Sequence, residues 1–331
     1  MVMDKIQGGY SILTYETLGI PTPFPVGNIN CYLIKNEPIT LIDCGVYTPK
    51  ALESLTDQLR NFGLELGDVK QILITHAHPD HCGLASVVKK YSNAKVYLHE
   101  KEINKAMDRA EHLKRIELHL AYYGLPEDLR HEMHNYFKWQ LDFVQPLKKF
   151  EVIEDGHIFT FDGAELQVIL TPGHAIGHLC YFEKSDRLLF SGDLMLGSLL
   201  EPISIEPYRR ERGLVDYIES LKKLSSLNIS LILPGHGKPM SDIEAHLKRI
   251  ANNHQQRKKQ ILDIIKGEGK ITPFRIASRL WPKLNMFLGI SEVLGYIDLL
   301  IMEGKVQEDQ TESRLIVFHV KPFDTLNENI V

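Results

Sequence analysis

The residues between Thr75 and His81 have the types that bind a transition metal. Within six positions, His76, His78 and His81 supply imidazoles and Asp80 supplies a carboxylate. Neutral imidazole and carboxylate together form a ligand set that suits zinc and related first-row metals. A polar loop in which Asp80 caps the following helix would explain the aspartate, but it would leave three histidines unexplained. The stretch therefore predicts a metal site.

Three further fragments place potential ligands at the ends of predicted strands. Each combines a histidine or an aspartate with a neighbouring glycine, and they read Thr171-Pro172-Gly173-His174, Ser191-Gly192-Asp193 and Pro234-Gly235-His236-Gly237. The glycine lets the backbone turn tightly and bring the ligand inward, and loops at strand ends converge over a rigid sheet. One such fragment alone is a weak signal, whereas three in this order after the first cluster predict one composite site.

The elements around these fragments predict two sheets sandwiched by helices, in the α+β class. Apolar runs indicate strands, and apolar residues at helical spacing indicate helices. Strands are expected at 11–15, 29–34, 39–42, 69–74, 95–98, 157–161, 166–170, 178–182, 188–190 and 231–233. Helices are expected at 49–62, 82–91, 214–224 and 242–253. Three prolines predict a loop at 19–25.

Two regions of the sequence do not fit this pattern of sandwich strands and helices. In residues 101–149, apolar residues at helical spacing flank Gly124-Leu125-Pro126, which predicts an inserted helical hairpin with helices at 103–120 and 127–144. In the tail, helices at 257–266, 272–280 and 291–302, and a hairpin of 304–306 with 314–318, predict a winged-helix-like unit. We therefore expect a catalytic domain over 1–254 and a C-terminal domain over 255–331.

Composition narrows the functional classes. The 331 residues have a formal net charge of −5 at pH 7, which gives no general attraction to nucleic acid or to anionic membranes. The N-terminus has no apolar signal core and no run is long enough to span a bilayer, so a cytoplasmic location is expected. The cysteines are widely spaced and are expected to be reduced and buried. They are Cys31, Cys44, Cys82 and Cys180.

Together these motifs resemble those of the metallo-β-lactamase-fold hydrolase superfamily. The match covers roughly residues 10–250, and all five motifs are present when Asp43 is counted as the first. The resemblance implies an αββα sandwich that holds two metals. His76, His78 and His174 would bind the first metal, Asp80, His81 and His236 the second, and Asp193 would bridge them.

The implied site predicts a hydrolytic mechanism. Three protein ligands and a shared carboxylate per metal leave room for a bridging water, and such open sites are catalytic. Two divalent cations would generate hydroxide near neutral pH for attack on a carbonyl or phosphoryl centre; zinc is the first expectation, with iron or manganese as alternatives. Asp80 is expected to orient the hydroxide and carry a proton toward the leaving group. Asp43 and His178 are expected to support the ligands.

Differences from particular family members restrict the expected class of substrate. The best-known zinc β-lactamases have a cysteine at the position of Asp193, and flavodiiron relatives have a glutamate at that of His78, so neither activity is expected. The tail does not resemble the glutathione-binding domain of glyoxalase II. A small ester, thioester or lactone is therefore the expected substrate, and a phosphodiesterase or ribonuclease is the runner-up. A mononuclear iron persulfide dioxygenase, which needs only His76, His78 and His174, and a non-enzymatic binding module are further alternatives.

The sequence gives weaker indications of which residues contact the substrate and of which partners the protein binds. Tyr208, in a loop after Asp193, and Tyr122 and Tyr136 of the insert are candidates for the substrate pocket, although packing onto the sheet explains most of the insert's aromatic residues. Residues 255–331 contain 11 Lys+Arg and 10 Asp+Glu, and the helix that would read nucleic acid has no Lys or Arg. Nucleic-acid binding is therefore not expected. The tail is expected to pack on the catalytic domain, help form the substrate entrance or mediate a homodimer.

Overall fold

Two β-sheets packed face to face form the centre of the protein, as seen in a computed structural model that describes residues 12–196, 213–282, 286–313 and 315–320. The first sheet has six strands, which are adjacent in chain order. They are β1 (Tyr15–Ile20), β2 (Ile29–Ile34), β3 (Thr40–Ile42), β4 (Gln71–Leu73), β5 (Lys95–Leu98) and β6 (Glu151–Val152). From β3 to β6 all neighbours are parallel, so β3 and β4 end at the same edge of the sheet.

The second sheet has five strands in the reverse of chain order. They are β7 (Ile158–Phe161), β8 (Ala164–Leu170), β9 (Leu179–Glu183), β10 (Leu188–Gly192) and β11 (Leu231–Pro234). Because β9 is antiparallel to both β8 and β10, and β11 is parallel to β10, three strands (β8, β10 and β11) end at one edge. Side chains of both sheets, such as Tyr32 and Phe190, share one buried cluster between them.

Helices cover the outer face of the first sheet. They are α1 (Pro49–Asn61), α2 (Pro79–Cys82) and α3 (Ala85–Ser92). The Thr48 side chain caps α1 by accepting a hydrogen bond from the Ala51 N–H at 3.1 Å, and Leu55 and Leu59 turn one apolar face of this helix toward the sheet. The spacing of the leucines thus fixes which side of α1 is buried.

Further helices cover the outer face of the second sheet. They are α5 (Arg109–Tyr122), α6 (Glu127–Gln140), α7 (Gly213–Ser225), α8 (Ile243–Glu268), α9 (Pro273–Leu280) and α10 (Met286–Met302). The short helix α4 (Ile103–Met107) instead packs Ala106 into the cluster on the outer face of the first sheet. Buried side chains of α5 to α10 join those of the sheet in one cluster. The layers are therefore helix, sheet, sheet and helix, which confirms the predicted αββα sandwich. Single 3₁₀ turns occur at Leu66–Asp68, Glu100–Glu102 and Leu141–Phe143.

The predicted helical insert is present between β5 and β6. Its first helix, expected as one element over 103–120, is divided into α4 and α5 at Asp108. This aspartate has a non-helical backbone, with φ −139° and ψ 76°, and its side chain accepts a hydrogen bond from the Glu111 N–H at 3.1 Å. The division arises because the short aspartate side chain caps α5.

In the tail, α8 is one helix of 26 residues, where the sequence predicted two helices at 242–253 and 257–266. Between those ranges lie only a histidine and two glutamines, with no proline or glycine to break the helix. The domain boundary predicted after residue 254 therefore lies inside a helix. The end of α8, then α9, α10 and the hairpin of β12 (Val306–Gln310) and β13 (Ile316–Val320), occur in the predicted order. The winged-helix assignment and the two-domain division stay predictions.

The first strand lies later in the chain than predicted. Ser11 is outside the described residues, and β1 begins at Tyr15 and continues through Gly19 to Ile20, where a loop was expected. Ile20 is fully buried and pairs with Ile29, so burial extends the strand as far as the first proline. All four cysteines are free and buried, as predicted. No helix in the described ranges is long and apolar enough to cross a membrane.

Candidate metal centre

Three histidine nitrogens converge at the end of the sandwich where β4 and β8 terminate. His76 Nε2 lies 2.9 Å from His78 Nδ1, and His174 Nε2 lies 3.1 Å and 3.0 Å from these two atoms. His76 and His78 follow β4, and His174 follows β8. Since each ring nitrogen is either a donor or an acceptor, at least two of the three share the same role and repel each other. A cation bound by three lone pairs would remove that repulsion.

A second group contains Asp80, His81 and His236. Asp80 and His81 lie on α2, and His236 follows β11. His236 Nε2 is 3.2 Å from Asp80 Oδ2. The Nε2 atoms of His81 and His236 are buried and make no hydrogen bond among the described residues. Buried polar atoms without hydrogen bonds are costly, so this group also fits a bound cation.

Asp193, at the end of β10, contacts both groups. Its Oδ1 atom lies 3.3 Å from His81 Nε2, and its Oδ2 atom lies 3.7 Å from His174 Nε2 and 3.8 Å from His236 Nε2. Oδ1 is buried and has no hydrogen-bond partner among the described residues. The carboxylate is thus located between the two groups, as the implied bridging role requires.

In His81 and His236, the hydrogen bond made by Nδ1 shows which ring nitrogen carries the proton. His81 Nδ1 is 2.7 Å from Asp43 Oδ2, and His236 Nδ1 is 2.9 Å from the Asn28 carbonyl oxygen. Because a carbonyl or an ionised carboxylate oxygen can only accept, both rings donate from Nδ1. In the neutral tautomer, the lone pair on Nε2 then faces the cluster, which is the orientation a metal ligand needs.

Asp43 lies beneath the site, where the sequence analysis expected a supporting residue. Its carboxylate accepts hydrogen bonds from the N–H and the hydroxyl of Thr75, both at 2.9 Å, as well as from His81. Its backbone has φ 58°, a left-handed conformation that aspartate tolerates better than most residues. Asp43 therefore ties the end of β3 to the end of β4 and to α2.

His178 lies behind Asp193 rather than among the converging nitrogens. Its Nε2 accepts a hydrogen bond from the Asp193 N–H at 3.2 Å, so its proton is on Nδ1, which is 3.0 Å from Thr171 Oγ1. Burial, together with the neighbouring His174, lowers the pKa of His178 well below its ordinary value. His178 is thus a neutral side chain that orients the backbone of Asp193.

Burial and neighbouring charges shift the pKa values of the cluster in opposite directions. Burial and the neighbouring imidazoles lower the pKa of His76 well below its ordinary value. For Asp193, burial acts to raise the pKa, but His81 and His236 outweigh it and hold the pKa well below the usual range. For His81, burial acts to lower the pKa, but Asp193 and Asp43 raise it well above its ordinary value. Neutral pH therefore combines a neutral His76 with an ionised Asp193.

Glu102 belongs to no recognised motif of the sequence, yet it contacts both loops that carry the proposed ligands. It is fully buried and accepts hydrogen bonds from the N–H groups of Ala77 and Gly177. The stretch around it, His99-Glu100-Lys101-Glu102, reads as a solvated polar turn. Its only sequence signal is Lys105 three residues later, a spacing that also describes ordinary surface pairs.

Two of the three candidate pocket tyrosines make ring contacts with other residues of the insert. The ring of Tyr122 contacts His119, and that of Tyr136 contacts Trp139. Tyr208 lies outside the described residues. Elsewhere in the insert, Tyr123 and Phe137 are buried in the core, as the packing explanation predicts. A role for the three candidates in substrate binding stays a prediction.

Comparisons with known proteins agree with this fold and site. Residues 24–236 match the family model described as Metallo-beta-lactamase superfamily. Probable metallo-hydrolase YqjP of Bacillus subtilis is 33% identical to this chain, over 87% of it and 92% of the relative. Thioesterase pkgB of Emericella nidulans is 25% identical, but the match covers only 62% of that protein and 80% of this chain.

A solved structure extends the agreement to the tail. The crystal structure of a metallo-beta-lactamase family protein from Thermus thermophilus has a TM-score of 0.81 and 26% sequence identity, and the match covers 93% of this chain and 98% of that one. Family, relative and fold therefore lead to the same assignment. This chain belongs to the metallo-beta-lactamase superfamily and is one of its metallo-hydrolases.

Proposed function

We propose that this protein is a two-metal hydrolase of small esters, thioesters or lactones. The observation that carries the proposal is the position of Asp193. One of its oxygens lies 3.3 Å from His81 Nε2 and the other 3.7 Å from His174 Nε2, so a single carboxylate reaches both ligand groups. A shared carboxylate between two open groups of three ligands is typical of catalytic rather than structural metal sites.

The two ligand groups divide the metal binding. His76, His78 and His174 would hold one divalent cation, Asp80, His81 and His236 would hold the other, and Asp193 would be shared. When bound, the cations would supply hydroxide near neutral pH by lowering the pKa of a water molecule. A donor set of imidazoles and carboxylates accepts zinc, iron or manganese, and zinc is the metal we propose.

Asp80 is the group proposed to handle the proton. It is 7% exposed, so it lies close to the surface of the site while most of its carboxylate is shielded from water. Burial acts to raise its pKa, but the nearby imidazoles of His236 and His81 lower it. The ionised carboxylate can therefore accept a hydrogen bond from the attacking water, orient it, and pass a proton toward the leaving group.

Aromatic contacts between the end of the insert and the loop that supports His236 favour an apolar acyl group. The ring of Phe24 is 5.7 Å from that of Trp139 and 5.5 Å from that of Phe143. Phe24 lies in the loop before β2 that also contains Asn28, whose carbonyl oxygen holds His236. The end of the insert thus lies against a loop that supports a proposed ligand, and apolar walls with a few polar groups are usual for small-molecule sites.

Two further observations bear on the substrate class. The similarity to a thioesterase supports a thioester among the acyl substrates. Against a nucleic-acid substrate, α10 contains no Lys or Arg and turns Ile290, Val293 and Ile297 into the core, so this helix offers no cationic surface for phosphates. The ribonuclease alternative therefore has less support than the acyl hydrolase.

Metal analysis coupled to a panel of substrates tests the proposal. We expect the purified protein to hold two equivalents of divalent metal and to hydrolyse thioesters, simple esters or lactones faster than phosphodiesters. Preferred cleavage of phosphodiesters would replace the substrate assignment, and a single iron with oxygen-dependent persulfide oxidation would replace the reaction. A protein that takes up no metal would overturn the proposal as a whole.

A further inference from the structure

We propose that Glu102 is a positioning residue that sets the geometry of the first ligand group by holding its two loops together. The first ligand group is His76, His78 and His174. This inference rests on the proposed function, because it concerns how the proposed ligands are held. It assigns to the beginning of the insert a specific task at the metal centre.

The hydrogen bonds of Glu102 join two loops that are distant in sequence. Its Oε2 atom accepts a hydrogen bond from the Ala77 N–H at 3.0 Å, and Oε1 accepts one from the Gly177 N–H at 2.9 Å. Ala77 lies between His76 and His78, and Gly177 lies three residues after His174. One carboxylate thus bonds to the backbone of both loops that carry the three proposed ligands of the first group.

Lys105 balances the buried charge of Glu102. Its Nζ atom lies 3.4 Å from both carboxylate oxygens, and the Lys105 and Glu102 side chains are 4% and 0% exposed. Burial acts to raise the pKa of Glu102, but Lys105 and the two backbone N–H groups lower it. The carboxylate therefore stays ionised, and both of its oxygens stay available as acceptors for the two loops.

Gly177 supplies an independent sign that the loops are held close. A Cβ atom at this position would lie 2.9 Å from Glu102 Cγ, 3.1 Å from His99 Nδ1 and 3.1 Å from Lys101 Cβ. A residue with a side chain would push the loop away from the 3₁₀ turn that contains Glu102. The short hydrogen bond to Glu102 therefore depends on a glycine at 177.

Glu183 provides a matched comparison within the same chain. It is also buried, and its carboxylate also accepts two backbone hydrogen bonds, from Ser185 at 2.8 Å and Asp186 at 2.6 Å. Both donors lie in the turn that follows Glu183 at the end of β9, the opposite edge from the ligands. Glu183 thus stabilises a local turn, whereas Glu102 connects loops from the two sheets.

The test compares Glu102→Gln with Glu183→Gln in the full-length protein. Glutamine keeps the shape of glutamate but has only one acceptor oxygen, so Glu102→Gln loses one of the two loop contacts. We expect the affinity of the first metal position, measured by competition with a chelator, to fall about 10- to 100-fold. The visible spectrum of bound Co²⁺ should change as well. Glu183→Gln should keep the wild-type affinity and spectrum.

A second variant covers the case in which Glu102→Gln does not fold. Gly177→Ala keeps both charges and displaces only the loop, and it should lower the same metal affinity and alter the same spectrum. Wild-type affinity and spectrum in Glu102→Gln, or in Gly177→Ala if the first variant does not fold, would overturn the inference. A wild-type protein that binds no metal would instead overturn the proposed function, so the two failures are distinguishable.

Discussion

Asp43 Oδ2 lies 2.7 Å from His81 Nδ1, and both side chains are buried beneath the metal centre. The contact keeps the imidazole proton on Nδ1 and directs the Nε2 lone pair toward Asp193. Carboxylate partners of this kind also increase the basicity of a histidine ligand. The positive φ of Asp43, 58°, brings its side chain under the site at the end of β3.

Replacing Asp43 with asparagine removes both its charge and the acceptor that faces His81. Asparagine tolerates a left-handed backbone, and its carbonyl oxygen can still accept the Thr75 N–H, but its NH2 group then replaces the oxygen that accepts the His81 Nδ1 proton. We expect metal affinity to fall about 10- to 100-fold, measured by chelator competition. As a control, Glu16→Gln removes a carboxylate that pairs with Lys35 at 2.6 Å on β1. Equal affinities in the two variants would contradict the role assigned to Asp43.

His76→Ala should abolish both metal loading and hydrolysis. His76 belongs to the first ligand group, and its ring also lies close to potential ligand atoms of His81 and Asp193, so its loss should disturb both proposed metal positions. His134→Ala is the control, because His134 is half exposed and pairs with Glu117 at 2.9 Å. Metal content by elemental analysis and initial rates check the prediction. Retained hydrolysis in His76→Ala would refute the ligand assignment.

The close approach of Gly235 to the site predicts the effect of a single methyl group. A Cβ atom at Gly235 would lie 2.4 Å from Asp193 Oδ1 and 2.9 Å from His81 Cε1. Gly235→Ala should therefore displace Asp193 and lower activity much more than thermal stability. Gly267→Ala, where nothing lies within 4 Å, should keep full activity and stabilise α8 by up to about 1 kcal/mol. Steady-state rates and unfolding midpoints of both variants distinguish the two effects.

The convergence of the proposed ligands could be predicted because their motifs lie at the ends of strands. Once the order of strands was known, His174, Asp193 and His236 had to emerge at one edge, since β8, β10 and β11 run in the same direction. Glu102 could not be predicted in this way. Its partners are backbone N–H groups 25 and 75 residues away, and such contacts leave no residue type or spacing in the sequence.

The full length of α8 could likewise not be predicted from the sequence. A boundary at residue 254 was inferred from the pattern of helices and a hairpin in the tail, but the helix continues because Ile261 and Ile265 are buried in the same cluster as Tyr217 of α7. Tertiary packing of this kind overrides weak local signals. The local hydrogen bond of Asp108 likewise divides a helix whose apolar spacing appears continuous in sequence.

A chain ending at residue 254 should therefore be strongly destabilised. The deletion would remove Ile261, Ile265 and Val293, which are fully buried, and expose the faces of α7 and α8 that they cover. Burial of each such side chain stabilises the fold by about 1.5–3 kcal/mol. The loss of several is therefore comparable to a typical net stability of about 5–15 kcal/mol. We expect loss of cooperative thermal unfolding by calorimetry. An unchanged unfolding temperature would instead support two independent domains.

His254, at the contact between α8 and α10, should make stability depend on pH. Its Nδ1 atom lies 2.6 Å from the Tyr296 hydroxyl, and burial lowers its pKa to about 4. Because the unfolded chain has the ordinary histidine pKa of about 6.5, it binds more protons than the folded chain between these values. Stability should therefore fall as pH decreases from about 6.5 to about 4, with a contribution of up to about 1.4 kcal/mol per pH unit.

Urea unfolding of the metal-free protein at several pH values measures this contribution. His246 has a pKa lowered to about 4 as well, so the wild-type slope contains more than one histidine. The difference between wild type and His254→Gln isolates the single group, because the variant cannot take up the proton. We expect the variant to lose less stability than the wild type on acidification, and exposed His131→Gln to follow the wild type. Parallel pH profiles for wild type and His254→Gln would show that His254 remains protonatable in the folded protein, because only then would its proton uptake be equal in both states.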